Sequence, residues 1–307
     1  MACFHPLHGY YSRSEFTKTG KRKVIFNRSE AYEDKKITLP CGQCTGCRLE
    51  RSRQWAIRCL HESQLHEKNC FITLTYSDDH LPTDGSLNHG HWVLFAKRLR
   101  KKYGKGIRYY MCGEYGEQFA RPHYHACLFN HDFEDKLQFS ERDGIPLYQS
   151  EALNKLWSTP YGDPLGFASV GDVTFQSAAY VARYIMKKIT GEKAEEHYTH
   201  LDQHGEIHER TPEYTQMSRR PGIGADWLKK YQADVYPSDF VVLNGKKCKP
   251  PKFYDRSYEV VDPDQLQKLK ARRNTGARKN APDNTPERLR VREKCLNARL
   301  NQLKRNL

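Results

Sequence analysis

Long apolar runs are missing from this sequence of 307 residues. No stretch of 18 consecutive apolar residues occurs, and the mean hydropathy is -0.87. A helix that crosses a bilayer needs about 20 such residues, so we expect no membrane partner. The segment from Met1 to Tyr11 also lacks the apolar stretch of a secretion signal, so we expect the protein to stay in a reducing cytoplasm.

Acidic residues are too few to balance the basic ones. Lys and Arg number 51 and Asp and Glu number 37, which gives a net charge of +14. Residues 245–307 hold 18 of the basic and 7 of the acidic residues, so +11 of this charge lies in the last fifth of the chain. Because each neutralised phosphate releases condensed counterions, such segregation favours a nucleic acid as partner. We expect this basic tail to follow a phosphate backbone.

Ten cysteines are present, but a disulfide framework is not expected in a reducing compartment. The spacing Cys41-x-x-Cys44-x-x-Cys47 is typical of a metal-binding knuckle, and Cys3 is the natural fourth ligand. Four thiolates would make a closed structural Zn²⁺ site. His5 or His8 could replace Cys3. An iron-sulfur run and unliganded thiols are the alternatives.

The apolar pattern predicts an α+β fold with a largely antiparallel sheet, because short β-branched segments alternate with amphipathic helical ones. The predicted strands are Phe71 to Tyr76, Ile107 to Glu114, His123 to Asn130 and, with a weaker pattern, Phe167 to Phe175. The predicted helices are Leu49 to Gln64, His91 to Tyr103, Ser177 to Ile189 and Asp226 to Gln232.

Composition divides the chain into four segments. Residues 1–65 form a cysteine-rich N-terminal segment that ends in a helix, and residues 66–192 form the α+β core. Residues 193–244 are polar and lack periodicity, so we expect a surface loop followed by a short helix. Residues 245–307 form the basic tail.

Two histidines alternate on a predicted strand. Residues i and i+2 of a strand point to the same face, so His123 and His125 can reach one ion. A third ligand with a hard oxygen would suit Mg²⁺ or Mn²⁺ at a phosphate. Glu114, which ends the preceding predicted strand, is the best candidate, and Glu117 in the following loop is a rival. An ordinary half-buried histidine pair is the alternative interpretation.

Two tyrosines share one face of a predicted helix. Tyr180, Tyr184 and Lys187 have the spacing of neighbours on that face. A separate stripe accounts for how the helix packs, and it consists of Ala178, Val181, Ala182, Ile185 and Ile189. The tyrosines are therefore available for chemistry, although they could also simply cover a basic surface.

A tyrosine hydroxyl needs a nearby cation or base to become an effective nucleophile, because its reference pKa is about 10. Arg183 follows Tyr180 by three residues, and Lys187 follows Tyr184 by three. Attack on a DNA phosphate would leave a phosphotyrosine at the 5′ end and a free 3′ hydroxyl as primer. Such an ester keeps the energy of the cleaved bond, so rejoining needs no nucleotide triphosphate. No Gly-x-x-x-x-Gly-Lys-Ser/Thr loop occurs, so a separate helicase is expected.

Together these motifs resemble those of HUH endonucleases, and more closely those of the replication initiators of gokushoviruses, small tailless bacteriophages of the microvirus family. Phe71 to Tyr76 resembles the first motif of the family. The histidine motif is represented by Cys112 to Gly116 with Arg121 to His125, and the tyrosine motif by Tyr180 to Lys188. The segment Ser218 to Gly224 resembles a phage-specific signature, and the likeness spans nearly the whole chain.

The resemblance implies a ferredoxin-like arrangement of about five strands and rolling-circle replication in the cytoplasm of a bacterial host. It implies that His123 and His125 bind the metal with help from Glu114, and that Tyr180 and Tyr184 alternate as nucleophiles. The expected partners are single-stranded viral origin DNA, a host helicase and a host DNA polymerase. Position 124 is normally apolar in the family and is a tyrosine here, with its side chain expected to face away from the metal.

Four basic residues are expected to contact DNA, namely Arg183, Lys188, Arg219 and Arg220. Two alternative functions remain at this point. A related HUH transposase or relaxase would share the chemistry, but the phage-like signature argues against it. A non-catalytic, zinc-containing protein that binds or packages single-stranded DNA would explain the charge and the cysteines, but not the histidines and tyrosines.

Overall fold

The computed structural model describes residues 3–18, 20–116, 119–142, 144–183, 188–189, 192–201 and 205–302. It confirms the predicted α+β class, with a large antiparallel sheet and a cysteine cluster near the N-terminus. The chain divides into two compact units, one built from Met1–Arg51 with Ala271–Arg305 and the other from Ser52–Lys270. The four segments expected from composition divide the chain differently and stay a prediction.

The strands and helices are labelled in chain order. The strands are β1 (Leu7–Phe16), β2 (Arg22–Ile25), β3 (Ala31–Leu39), β4 (Asn69–Thr75), β5 (Arg108–Tyr115), β6 (Pro122–Phe129), β7 (Leu137–Arg142), β8 (Ile145–Gln149), β9 (Ala168–Gly171), β10 (Thr199–Leu201), β11 (Ile207–Glu209), β12 (Tyr214–Met217), β13 (Val241–Leu243) and β14 (Lys246–Cys248). The α-helices are α1 (Thr45–Ser63), α2 (His89–Tyr103), α3 (Glu151–Leu156), α4 (Phe175–Arg183), α5 (Lys193–Tyr198), α6 (Ala225–Val235), α7 (Lys252–Val261), α8 (Pro263–Lys279) and α9 (Pro286–Gln302). A 3-10 helix spans Ala281–Asn284.

The sheet of the Ser52–Lys270 unit has seven strands in the order β12-β5-β6-β4-β9-β8-β7. Every neighbouring pair in it is antiparallel. The resemblance implied about five strands, and the β7–β8 hairpin and the edge strand β12 extend the sheet at its two sides. Strand β12 comes from the segment that was expected to be a polar loop.

The two faces of the sheet separate the core from the candidate site. Alternate residues of β4 are buried, and Ile72 and Leu74 pack with Trp92 and Phe95 of α2 on one face. On the other face, β5 and β6 pack against α1 and α4, which contribute Ala56 and Val181 among others. The histidines of β6 lie on this second face.

The region expected to be a basic tail is folded over much of its length. Tyr254 and Tyr258 of α7 and Leu266 and Leu269 of α8 are buried in a third core with α6. Few apolar residues do this packing, and the many charges around them hide their periodicity. Across the described ranges, every helix is too short or too polar to cross a bilayer.

Candidate active site

The hairpin of β5 and β6 brings one acidic residue and two histidines together. Its register pairs Glu114 directly with His123, and His125 lies two residues farther along β6 on the same face. The ligand atoms of these three side chains all lie within 4.8 Å of one another. The sequence predicted this convergence from spacing alone. Glu117, the rival third ligand, lies outside the described residues.

Both imidazoles point their Nε2 atoms at the same carboxylate oxygen. Glu114 Oε1 is 2.8 Å from His123 Nε2 and 2.9 Å from His125 Nε2. The carboxylate is only 1% exposed, and His125 is also buried, whereas His123 is half-buried. The three groups therefore form a nearly dehydrated site that opens on the side of His123.

Hydrogen bonds at the far side of each ring fix the orientation of the imidazoles. His123 Nδ1 lies 3.0 Å from the carbonyl oxygen of Arg121, which can only accept, so this nitrogen carries a hydrogen. His125 Nδ1 lies 2.9 Å from the hydroxyl of Thr73 on β4. With its Nδ1 protonated, His123 can face a carboxylate through Nε2 only if that nitrogen also binds a proton or shares a cation with Glu114. The arrangement thus fits a divalent cation between the three side chains.

Electrostatics keep the carboxylate charged despite its burial. Burial acts to raise the pKa of Glu114, but the hydrogen bonds from His123 and His125 outweigh this effect and hold the pKa below its usual value. Glu114 is therefore an anion at neutral pH, as a metal ligand must be.

Helix α4 carries Tyr180 to this site. Thr174 and Ser177 cap the helix, since the Thr174 hydroxyl accepts from the Ser177 amide at 3.1 Å and the Ser177 hydroxyl accepts from the Thr174 amide at 2.8 Å. The predicted apolar stripe is buried as far as α4 is described, at Ala178, Val181 and Ala182. The ring of Tyr180 packs edge-on against His125, with their centroids 5.0 Å apart.

Two further residues of the tyrosine motif, Tyr184 and Lys187, lie outside the described residues. Tyr124, the extra phenol between the two histidines, faces away from them as expected. It is fully buried, and its hydroxyl bonds to Tyr76 at 3.1 Å and to the backbone of Asn88. Thr73 and Phe71, which contact His125 from β4, were not singled out in the sequence. Their alternation along β4 was the available signal, but only the pairing of β4 with β6 gives it meaning.

The four predicted cysteine ligands also converge. The Sγ atoms of Cys3, Cys41, Cys44 and Cys47 all lie within 4.8 Å of one another, so the cluster could hold a metal such as zinc. Backbone amides support the sulfurs, because Cys41 N donates to Cys3 Sγ at 3.2 Å and Cys44 N donates to Cys41 Sγ at 3.3 Å. Burial acts to raise the pKa of Cys41, but the amides of Cys44 and Gln43 help to lower it to about 7.

The histidines that could have replaced Cys3 have other partners. His5 Nε2 lies 2.8 Å from the carboxylate of Glu293, and His8 Nδ1 lies 3.3 Å from the Thr38 hydroxyl. Of the remaining cysteines, Cys59, Cys70, Cys112 and Cys127 are buried, Cys248 is half-buried and Cys295 is exposed. This agrees with their interpretation as ordinary buried or tail residues.

Comparison with known proteins supports the motif-based resemblance. The family model of replication-associated protein ORF2 matches residues 69–189, which include β4 through α4. Replication-associated protein VP4 of Bdellovibrio phage phiMH2K is 33% identical over 282 residues, which cover 89% of this chain and 82% of that protein. The chain belongs to the replication-associated protein family of microviruses.

Two more members show the same extent of likeness. Replication-associated protein ORF2 of Spiroplasma virus 4 is 31% identical over 280 residues, which cover 84% of this chain and 81% of that protein. Replication-associated protein ORF4 of Chlamydia phage 1 is 30% identical over 227 residues, covering 70% and 52%. No solved structure matches this chain.

In this replication-associated protein, the signature segment Ser218–Gly224 is largely a packing joint. Arg58 of α1 donates to the carbonyl of Ile223 at 2.9 Å, and the amide of Gly224 donates to the buried carboxylate of Glu62 at 2.6 Å. Ile223 itself is fully buried. Sequence analysis assigned Arg219 and Arg220 of this segment to DNA contact, and both are exposed, as are Arg183 and Lys188. Their contact with DNA stays a prediction.

Proposed function

We propose that this replication-associated protein is a metal-dependent nicking and closing enzyme that starts rolling-circle replication on single-stranded origin DNA. The observation that carries the proposal is the convergence of Glu114, His123 and His125 beside the ring of Tyr180. A phosphate-binding centre and a phenol in contact with it are the two parts that tyrosine attack on DNA requires.

Glu114, His123 and His125 would hold the cation. One carboxylate and two imidazoles leave coordination positions for phosphate oxygens and water, and such a set suits Mg²⁺ or Mn²⁺. When bound, the cation withdraws charge from the non-bridging oxygens of the scissile phosphate. The buried carboxylate and the fixed rings prepare this charge distribution before DNA arrives, so little reorganisation is needed during the reaction.

Tyr180 is one of the two proposed nucleophiles. Its phenol oxygen forms a bond to phosphorus and loses its proton, while the bond from phosphorus to the 3′ oxygen breaks and that oxygen gains a proton. The products are a 5′-phosphotyrosine and a 3′ hydroxyl that primes synthesis. Arg183, one helical turn from Tyr180 and exposed on α4, would lower the cost of the phenolate.

Tyr184 is the other proposed nucleophile, and Lys187 is its helper. After one round of synthesis, one tyrosine cuts the regenerated junction, and the freed 3′ hydroxyl attacks the phosphotyrosine formed at the start. This second transfer closes a unit-length circle and returns the phenol. A host helicase and a host DNA polymerase would supply strand separation and synthesis in the bacterial cytoplasm. Arg183, Lys188, Arg219 and Arg220 are proposed to contact the DNA.

The cysteine cluster is proposed to be a structural Zn²⁺ site. Four thiols within 4.8 Å fill a tetrahedral shell and leave no position for substrate. This chemistry separates the cluster from the Glu114 site, which has open positions.

The decisive experiment detects the covalent intermediate. Labelled single-stranded DNA carrying the viral origin is incubated with Mn²⁺ and either wild-type protein, Tyr180→Phe, Tyr184→Phe or the double variant, and adducts are separated on a denaturing gel. We expect adducts with the wild-type protein and none with the double variant. Tyr161→Phe, which removes a 94% exposed phenol elsewhere, is the control and should form adducts normally. An adduct with the double variant would refute the assignment, and DNA binding by the wild type without any adduct would favour the packaging alternative.

A further inference from the structure

An exposed phenylalanine lies in line with the candidate metal centre. Among the described phenylalanines, Phe119 and Phe167 are the most exposed, at 79% and 74%. Phe119 belongs to the turn between β5 and β6, and Phe167 immediately precedes β9. Both therefore lie at the end of the sheet where Glu114 and His123 are paired.

The strand register connects Phe167 to the centre. The amide of Thr75 donates to the carbonyl of Phe167 at 2.9 Å, and Thr75 pairs on its other side with His123, which pairs with Glu114. These four residues make one row across the sheet. Neighbouring strands are about 4.8 Å apart, so the backbones of Phe167 and His123 are separated by about 10 Å. This is within the reach of one or two nucleotides of an extended strand.

The side chain of Phe167 is on the same face as the imidazoles. Ala168 and Val170 of β9 are buried in the core on the opposite face, together with Leu74. Since successive residues of a strand point to opposite faces, Phe167 and Ser169 lie on the face that holds His123. The ring is thus an apolar surface in water, beside a candidate phosphate site.

The backbone of Phe167 is held firmly, although its ring is exposed. The Thr75 hydroxyl also donates to the Phe167 carbonyl at 2.9 Å, and Ser77 N donates to the Leu165 carbonyl at 2.9 Å. Gly166 has φ +156°, and a Cβ there would lie 2.4 Å from both Ser77 N and Thr75 O, so only glycine permits this close approach. A ring that is fixed at its base and exposed at its face is suited to stacking, because little entropy is lost on binding.

We propose that Phe167 is a base-stacking subsite for the single-stranded DNA, one or two nucleotides from the phosphate held at the metal centre. The inference rests on the proposed function, because that function supplies both the strand and the phosphate. Aromatic stacking tolerates any base, since every base has a π face. Phe167 would hold the scissile phosphate in position and would leave origin recognition to other contacts.

The test couples a protein change to a DNA change. Wild-type protein and Phe167→Ala are titrated with fluorescent single-stranded origin oligonucleotides in which each position around the mapped nick is replaced in turn by an abasic residue, and binding is followed by anisotropy. We expect Phe167→Ala to bind the intact oligonucleotide about tenfold more weakly. In the wild type, one abasic position within two nucleotides of the nick should cause a similar loss, and in Phe167→Ala that position should cause none.

Three variants separate stacking from other effects. Phe167→Trp should retain affinity and Phe167→Leu should not, because only the aromatic ring stacks. Phe139→Ala removes a 51% exposed ring from β7 at the far side of the same sheet and should bind like wild type. If the same abasic position weakens Phe167→Ala as much as wild type, the inference is wrong even where wild-type protein nicks DNA normally. If wild type forms no adduct at all, the proposed function fails instead, and the coupling between ring and base can still be read from binding.

Discussion

At the scale of single residues, the candidate centre depends on which atoms of each histidine are already engaged. Arg121 and Thr73 occupy the Nδ1 positions of His123 and His125, and both Nε2 atoms are directed at Glu114. The alternation of His123 and His125 on one strand allowed the pair to be predicted from sequence. The role of Thr73 could not be predicted, because nothing local indicates which strand pairs with the histidine strand.

Thr73 offers a test of this outer layer of the site. Thr73→Val keeps the shape of the side chain but removes the hydroxyl that lies 2.9 Å from His125 Nδ1. We expect Mn²⁺ affinity, measured by calorimetry, to fall about 10- to 100-fold, because an imidazole without this partner loses orientation and basicity. Thr73→Ser restores the hydroxyl and should bind nearly as well as wild type. Equal Mn²⁺ affinity of Thr73→Val and wild type would contradict this role.

At the scale of secondary-structure elements, segments with strong periodicity were predicted well. Helix α2 was predicted from His91 to Tyr103 and runs over His89–Tyr103, and the two strands of the histidine hairpin agree within two residues. Strand β12 was missed because its four half-buried residues show no alternation. It forms only because β5 offers an unpaired edge, which is a tertiary effect invisible in the local sequence.

The segment Ser218–Gly224 shows how a motif can be specific without touching the substrate. Gly224 has φ +75°, and a Cβ there would lie 2.7 Å from the hydroxyl of Tyr254 and 3.2 Å from the carbonyl of Arg58. We expect Gly224→Ala to lower the free energy of unfolding by at least about 2 kcal/mol, measured by urea denaturation, since it adds a steric clash to the backbone strain.

Gly245 provides the matched control for this substitution. It has a similar φ of +73°, but a Cβ there would meet no atom within 4 Å. Gly245→Ala therefore carries the backbone strain alone and should cost about 1 kcal/mol. Similar losses of stability in the two alanine variants would mean that the joint around Gly224 has room to relax and that the packing role assigned to the signature is wrong.

At the scale of the whole molecule, charge segregation was evident from the sequence, but its structural setting was not. The basic residues after position 245 lie on helices that bury a few apolar side chains each, so this region is largely folded. In the unit built from Met1–Arg51 and Ala271–Arg305, the buried cluster consists of Phe4, Cys44 and Leu289, with Leu296 packed beside them. So small an apolar core contributes little stability by itself.

A metal in the cysteine cluster would compensate for this small core. A structural Zn²⁺ site contributes about 10 kcal/mol or more to folding, far more than burial of Phe4 and Leu289 can. We expect wild-type protein to contain about one zinc per chain and Cys44→Ser to contain none, measured by elemental analysis. In Cys44→Ser the amides of α9 should lose protection from hydrogen exchange, because Leu289 and Leu296 pack against the cluster. Strands β4 to β6 belong to a unit with its own cores and should stay protected. Cys295→Ser alters an exposed thiol of the same helix and should change neither measurement. If α9 keeps its protection in zinc-free Cys44→Ser, the apolar contacts alone hold this unit together, and the cluster has some purpose other than stability.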